Sequence, residues 1–319
     1  MLVKEMNYKI KVWMRAIRFR FLAASAIAVT NGLALGYLEN SSVFNLLYAA
    51  LTYIGIFCLH SSVDLFNDYW DFKRGIDLIT KKTKFSGGTG VLPEGLLKPY
   101  EVYRAAVIFL VLGLLIGSSF VYVRGYVISL ILGFAGLSII LYSTKLVNLG
   151  LGELFVGLKG MLIVVGSFYI VTSTIKLEPI FVGVIIGLLS SLVLYVNSIP
   201  DINADKEKGR KTLAIIMENR SSTTIFAFVL SVFISIYLLT IIFYCVFINN
   251  IYLVVPNIFL LPYSIVILCK FHKYLFNSWP IGPFYENIME KTVLFSRLYG
   301  LFIALGIMMF CMANINIIK

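Results

Sequence analysis

Two stretches of this sequence place carboxylates at the ends of apolar runs, where a hydrophobic chain tolerates them least. NDYWDFKRGID (67–77) follows ALTYIGIFCLHSSVDLF, and NSIPDINADKEKGRKTL (197–213) follows VGVIIGLLSSLVLYV. On a helix, Asp64, Asp68 and Asp71 stand at i, i+4 and i+7 and share a face, with Asn67 beside Asp71. Asp201 and Asp205 are also four apart, and Asn197 lies one turn earlier. Like charges at this spacing repel. A divalent cation removes the conflict. Mg²⁺ takes oxygen ligands, keeps several waters and combines one or two carboxylates with phosphate oxygens. Two such columns therefore suit Mg²⁺ and a diphosphate held between them. Lys73, Arg74, Arg210 and Lys211 are the neighbouring cations able to neutralise phosphate oxygens. The expected metal set is Asn67, Asp68, Asp71, Asp77, Asp201 and Asp205. Asp77 lies beyond Gly75, where helix phase no longer places it. Either cluster alone also reads as solvated ion pairs worth little; the repetition of the pattern after two apolar runs favours a site.

The elements that carry these residues are membrane helices. The 319 residues are 60% hydrophobic and 13% charged, with mean hydropathy +0.92, and apolar windows long enough to cross about 30 Å of hydrocarbon recur along the chain. The expected fold is all-α, a polytopic transmembrane helical bundle forming one domain over residues 1–319. Nine spans are expected, near residues 21–38, 43–66, 103–123, 126–143, 151–172, 177–197, 224–248, 251–269 and 293–316. Pro256 and Pro262 predict a kink in the eighth. The long loops 67–102 and 198–223 each begin with an acidic cluster and continue into a basic stretch. Four spans separate their starts, which suggests a weak internal duplication with the site where the halves meet.

The net charge of +11 is distributed by topology and does not point to nucleic acid. Lys4 to Arg20 precede the first span, and Lys73, Lys81, Lys82, Lys84, Lys145, Lys206, Arg210, Lys211, Lys270 and Lys291 follow even-numbered spans. The alternate loops hold little more than Arg124, Lys176 and Lys319. This asymmetry puts the N-terminus and both acidic loops in the cytoplasm and the C-terminus outside. The four cysteines and two histidines lack metal-ligand spacing, and the cysteines read as small packing residues. The first span is read as permanent and not as a cleaved signal. No protein partner is implied; membrane lipid is the surrounding medium.

Asn67-Asp68-Tyr69-Trp70-Asp71 and Asp201-Ile202-Asn203-Ala204-Asp205 resemble the paired NDxxDxxxD and DxxxD motifs of the UbiA-type intramembrane prenyltransferases. The later aspartate, Asp77, falls six residues after Asp71. That spacing looks like the branch that prenylates 1,4-dihydroxy-2-naphthoate, as do SGGTGVLPEGLL (86–97), GLGELFVGL (150–158) and DINADKEKGRKTLA (201–214). The resemblance implies Mg²⁺-dependent transfer of a polyprenyl group from polyprenyl diphosphate to an aromatic acceptor in quinone biosynthesis. Asp68, Asp71, Asp201 and Asp205 are then catalytic. It also implies a central cavity open to the cytoplasmic side and laterally to lipid. Within the same chemistry the acceptor could be a hydroxybenzoate, a homogentisate-like ring or geranylgeranylglyceryl phosphate. The runner-up from another class is a cation-coupled secondary transporter. Its ionisable groups belong near the midplane, whereas these cluster at one surface.

Seven further residues are candidates for substrate contact. Lys159 is the lysine deep inside a span, and an intramembrane charge is functional by default; it would meet diphosphate or pair with Glu153, unless it snorkels to an interface. Glu153 would orient the acceptor or cap a helix. Asp64 lies one turn deeper than Asp68. Tyr142 and Lys145 end the fourth span, Arg18 precedes the first, and Asn197 accompanies the second motif. The glycines of SGGTG read either as a phosphate cradle or as lid hinges, and no GK[ST] follows to make a P-loop. Phe57, Phe66, Tyr69, Trp70, Tyr169 and Tyr195 are candidates to line a prenyl channel.

Overall fold

The computed structural model describes residues 2–80, 82–277 and 281–318. Lys81 and Lys319, used in the topology reading, lie outside the described residues, as do the side chains of Lys4 and Ser143. The helices in chain order are α1 (Leu2–Ala16), α2 (Leu22–Glu39), α3 (Leu46–Lys73), α4 (Pro99–Arg124), α5 (Tyr126–Leu141), α6 (Gly152–Thr172), α7 (Leu177–Ser198), α8 (Ile202–Glu207), α9 (Leu213–Glu218), α10 (Ser222–Ile242), α11 (Val255–Ile258), α12 (Leu261–Phe276) and α13 (Pro283–Ile318). No strand occurs among the described residues, so the all-α expectation holds.

Seven helical segments are long and apolar enough to span a membrane, and α11 with α12 makes an eighth, bent by 42°. That bend falls between Pro256 and Pro262, the two prolines that predicted it; each stands in the first turn of its helix, where a missing N–H is tolerated. The remaining expected span, 126–143, is α5, only 16 residues long. At 1.5 Å per residue that is about 24 Å, short of the hydrocarbon thickness. A five-residue π-helical turn, Tyr142–Leu146, extends it. The last helix starts at Pro283, earlier than its apolar run suggests. These helices make the chain an integral membrane protein.

Local sequence sets the boundaries. The Asn45 side chain accepts from the N–H of Leu47 at 2.9 Å and of Tyr48 at 3.2 Å and so opens α3. The Glu101 carboxylate accepts from the Lys98 N–H at 2.7 Å, and Pro99 stands in the first turn of α4. Gly75, with φ of 74°, takes the chain out of α3 just after the first motif. Pro200 sits in a 3₁₀ turn (Ile199–Asp201) that breaks α7 from α8 within the second motif.

The inner ring is α2, α6, α7 and α13, packed on one another through a continuous apolar core. In α2 and α7 56% of the apolar window is buried, against 22% in α4 and α10, so the latter pair faces lipid. Apolar side chains gain little by leaving lipid for one another, so tight backbone approach has to supply the packing. Gly32 and Gly36 of α2 lie against Val164, Ser167 and Val171 of α6, and Gly157 of α6 lies against Gly187 of α7. A side chain at Gly32 would collide with the Val164 carbonyl and with Ser167 Cβ, 2.7 Å away. Gly133 of α5, by contrast, has nothing within 4 Å. Gly32→Leu is therefore expected to cost at least the 1–3 kcal/mol typical of overpacking, about, and to lower the melting temperature in detergent. Gly133→Leu serves as the control and should melt with wild type; equal melting of the two variants would remove α2–α6 contact as the organising one.

Candidate active site

The end of α3, the α7–α8 break and the loop 74–98 meet at one end of a cavity of about 880 Å³. Asp64, Asn67 and Asp71 from α3, Asp77 from the loop, Asn197 and Asp201 from α7 and its 3₁₀ turn, and Asp205 from α8 all line it. Asp68 is 2% exposed and lies just behind the wall.

Arginines hold the carboxylates. The Arg210 guanidinium, itself buried, pairs with Asp71 and, at 3.1 Å, with Asp205, so one cation joins the first motif to the second. Burial works against its charge, but Asp71 and Asp205 together hold its pKa above the ordinary value. Asn67 donates to the far oxygen of Asp71 at 3.0 Å. Arg18 donates to Asp68 at 2.8 Å. Its burial is likewise outweighed, by Asp68, Asp64 and Asp77, and its pKa is raised. Arg18 adopts φ 47°, ψ 46°, a left-handed conformation that costs a side-chain-bearing residue roughly 1–2 kcal/mol. The turn it makes between α1 and α2 is what aims its guanidinium inward.

The glycine-rich loop touches both motifs. Gly87 N–H donates to Asp201 at 3.3 Å, Gly88 lies directly against the Asp77 carboxyl, and the Thr89 hydroxyl donates to Asp68. Arg15 and Lys82 both donate to the Thr89 carbonyl, at 2.6 and 2.8 Å, and both pair with Glu94. Val91 and Leu92 anchor the next turn in a core with Val12, Ala16, Leu65 and Val102. The segment is thus fastened at both ends, and its positive-φ glycines let backbone approach carboxylates that a Cβ would displace. Asp77 is pushed up to about 8 by burial and by the charges of Asp71 and Asp68, and it keeps its proton at neutral pH in this arrangement.

Among the described residues no three His, Cys, Asp or Glu side chains converge as a ready-made metal cage. The expected columns of free oxygens are instead bound up by Arg18, Arg210 and Thr89. The donor chemistry still fits a hard cation. Buried oxygens of Asp64 (Oδ2), Asn197 (Oδ1) and Asp201 (Oδ1) have no hydrogen-bond partner, and neither do the Nε atoms of Arg18 and Arg210. Buried polar atoms are seldom left unsatisfied. Orphan oxygen acceptors beside orphan guanidinium donors match an oxygen-ligated cation together with an anion.

Other expected contacts lie elsewhere. Lys73 sits over the Tyr69 and Trp70 rings at 5.7 and 5.2 Å, and Arg74 donates to the Thr144 carbonyl at 3.2 Å. Lys145 and Lys211 are exposed. None of these four lines the cavity. The π-helical turn shifts helix phase so that Tyr142 faces the cavity and Lys145 does not. Glu153 is buried off the wall at the start of α6, and Lys159 is on the wall beside Asp64 and not paired with Glu153. The six aromatics expected in a prenyl channel are absent from the wall, where Phe85, Phe120, Phe134 and Phe155 stand instead. Arg15, Thr89 and His60 were missed. His60 was legible as the next position up the Asp64–Asp68 face, and Arg15 as the neighbour of Arg18 one turn earlier.

The sequence profile of the UbiA prenyltransferase family matches residues 26–275. The chain belongs to the UbiA prenyltransferase family. This bears out the resemblance and the reading as a prenyltransferase. Among UbiA-family relatives, the 1,4-dihydroxy-2-naphthoate octaprenyltransferase of Bacillus subtilis (strain 168) is 32% identical over 65% of this chain and 66% of its own length. That of Escherichia coli (strain K12) is 32% identical over 64% of this chain and 68% of its own. The chain thus spans about two thirds of each. A UbiA homolog from Archaeoglobus fulgidus, solved bound to GPP and Mg²⁺, superposes with a TM-score of 0.61 at 15% identity, covering 93% of this chain and 99% of the other. At that identity the likeness shows the fold.

Replacing Arg210 by Met should leave Asp71 and Asp205 buried without their shared cation. Removing one partner of a buried pair costs about 3–5 kcal/mol. The melting temperature in metal-free buffer should fall, and millimolar Mg²⁺ should restore more of it in the variant than it adds to wild type. A variant that melts with wild type in metal-free buffer would show that the bridge does not hold the motifs together.

Proposed function

We propose that this chain, as one domain over residues 1–319, transfers a polyprenyl group from polyprenyl diphosphate to an aromatic acceptor of the 1,4-dihydroxy-2-naphthoate kind, releasing diphosphate, in quinone biosynthesis. The observation that carries this is the meeting of both aspartate motifs with the buried Arg210 and the part-buried Arg18 at one end of a cavity whose deeper wall is mostly apolar. The similarity to the naphthoate octaprenyltransferases supports the acceptor class.

Asp68, Asp71, Asp201 and Asp205, with Asn67 and Asp77, are the residues that would hold Mg²⁺, as a UbiA homolog of the same fold binds it. When bound, the metal supplies Lewis-acid neutralisation of the leaving diphosphate. Arg18 and Arg210 are placed to add to that neutralisation. Each carries an unused N–H, and each can exchange a carboxylate for a phosphate oxygen as charge grows on the departing group. The Gly87–Thr89 backbone closes this end. Below it, Leu59, Ile116, Phe120, Ile128, Ile131 and Leu162 give a dry wall for the isoprenoid tail and keep water from the allylic cation. The positive-inside pattern supports a cytoplasmic position for the aspartate end.

The test is diphosphate release by the purified chain in nanodiscs, with labelled geranylgeranyl diphosphate and a panel of aromatic acceptors. Release should require Mg²⁺ and stop with EDTA. Asp68→Ala and Asp201→Ala should each lower it by roughly 10²–10³-fold, the scale seen on removing one electrostatic stabiliser. Full activity in both variants would refute the site assignment.

A further inference from the structure

Beneath the aspartate layer the cavity wall carries a second polar layer, set deeper along α3. Asp71, Asp64 and His60 step along one face of α3, so Asp64 stands about 10 Å from Asp71 along the helix axis. His60 Nδ1 lies 2.8 Å from Ser25 Oγ of α2, and its Nε2 lies 3.7 Å from Asp64 Oδ2, too far for a hydrogen bond. Lys159 of α6 is close enough to act on both Asp64 and His60. It lines the cavity, yet among the described residues it makes no hydrogen bond or ion pair. Asp64 Oδ2 and Ser167 Oγ, also on the wall, are buried and without hydrogen-bond partners.

An unpaired ammonium inside a membrane protein is costly, and such residues are kept near partners or substrate paths. Here it also shares a cavity with the site of an allylic cation, where a second positive charge opposes the reaction. An anion that arrives with the acceptor removes both difficulties. The diphosphate is not that anion: Arg210 and the motif aspartates lie toward the other end of the cavity, and Arg18, which also acts on Asp64 and His60, is paired with Asp68. One ammonium beside a carboxyl group and an imidazole suits a single negative charge better than a phosphate dianion.

We propose that Lys159, backed by His60 and Ser25, forms a subsite for the carboxylate of an aromatic acid acceptor. The proposal rests on the prenyltransfer reading and deepens it, making the acceptor's charge a determinant of specificity. Lys159 is a binding residue here. It holds the acid end of the ring and so fixes which edge of the ring meets the allylic carbon.

Equilibrium binding to the full chain in nanodiscs, without prenyl diphosphate, tests it. The probes are 1,4-dihydroxy-2-naphthoate and its methyl ester. Wild type should bind the acid roughly tenfold to hundredfold more tightly than the ester, the range for a hydrogen bond to a charged group. Lys159→Met should bring that ratio to unity, Lys159→Arg should preserve it, and both should bind geranylgeranyl diphosphate as wild type does. A ratio retained in Lys159→Met overturns the proposal. So does a selective loss of geranylgeranyl diphosphate binding, which would assign Lys159 to diphosphate, or an equal loss of acid and ester in both variants, which would make its role structural. Lys159-dependent acid binding in a chain that transfers no prenyl group would support the subsite and count against prenyl transfer alone.

Discussion

One guanidinium ties the two halves of this site together. Arg210 pairs with Asp71 at the end of α3 and with Asp205 in α8, and all three groups are buried. Carboxylates brought this close in a low-dielectric setting repel strongly. Without a cation between them, the helix ends would separate or the acids would take up protons. Arg210 lets the fold assemble with its two motifs already facing each other. The same reasoning covers Arg18 and Asp68. The arginines thus hold open, in the folded chain, a place whose charges suit a metal and a diphosphate.

The cavity is graded in polarity along the axis of α3. Aspartates and arginines come first, then a sparse layer of Ser25, His60, Asp64 and Lys159, then aliphatic and aromatic side chains. An isoprenoid diphosphate has the same gradient, from polyanionic head to hydrocarbon tail. Matching the two fixes the direction in which such a molecule enters and leaves its reactive carbon at the boundary between layers. Glycine contacts among α2, α6 and α7 supply the rigid wall that this matching requires.

Much of this was legible in the sequence, and the parts that were not have physical reasons. Helical phase put Asp64, Asp68 and Asp71 on one face because α3 is unbroken to Lys73. Charge spacing suggested that Arg210 belonged near the aspartates, but not that it would bridge them, since that depends on contact between residues 139 positions apart. Lys145 was misplaced because a π-helical turn leaves no clear mark in composition, yet it rotates every side chain after it. Lys73 and Arg74 were expected to turn inward; they lie at the helix end, where aromatic faces and a backbone carbonyl offered nearer partners. The Gly-rich loop was recognised as special without its direction of approach being readable. The aromatics of the channel were misassigned because composition says nothing of which face of a lipid-embedded helix looks inward.

Arg18 carries a consequence for how this chain can vary. Its backbone lies in a region where glycine and asparagine are the comfortable residues, while its side chain meets a buried carboxylate that only a cation satisfies. No amino acid meets both demands cheaply. Substitutions that relax the turn abandon Asp68, and those that keep a charge keep the strain. Position 18 is therefore under two unrelated selections at once, and drift there is expected to proceed only in company with change at Asp68 or in the turn itself.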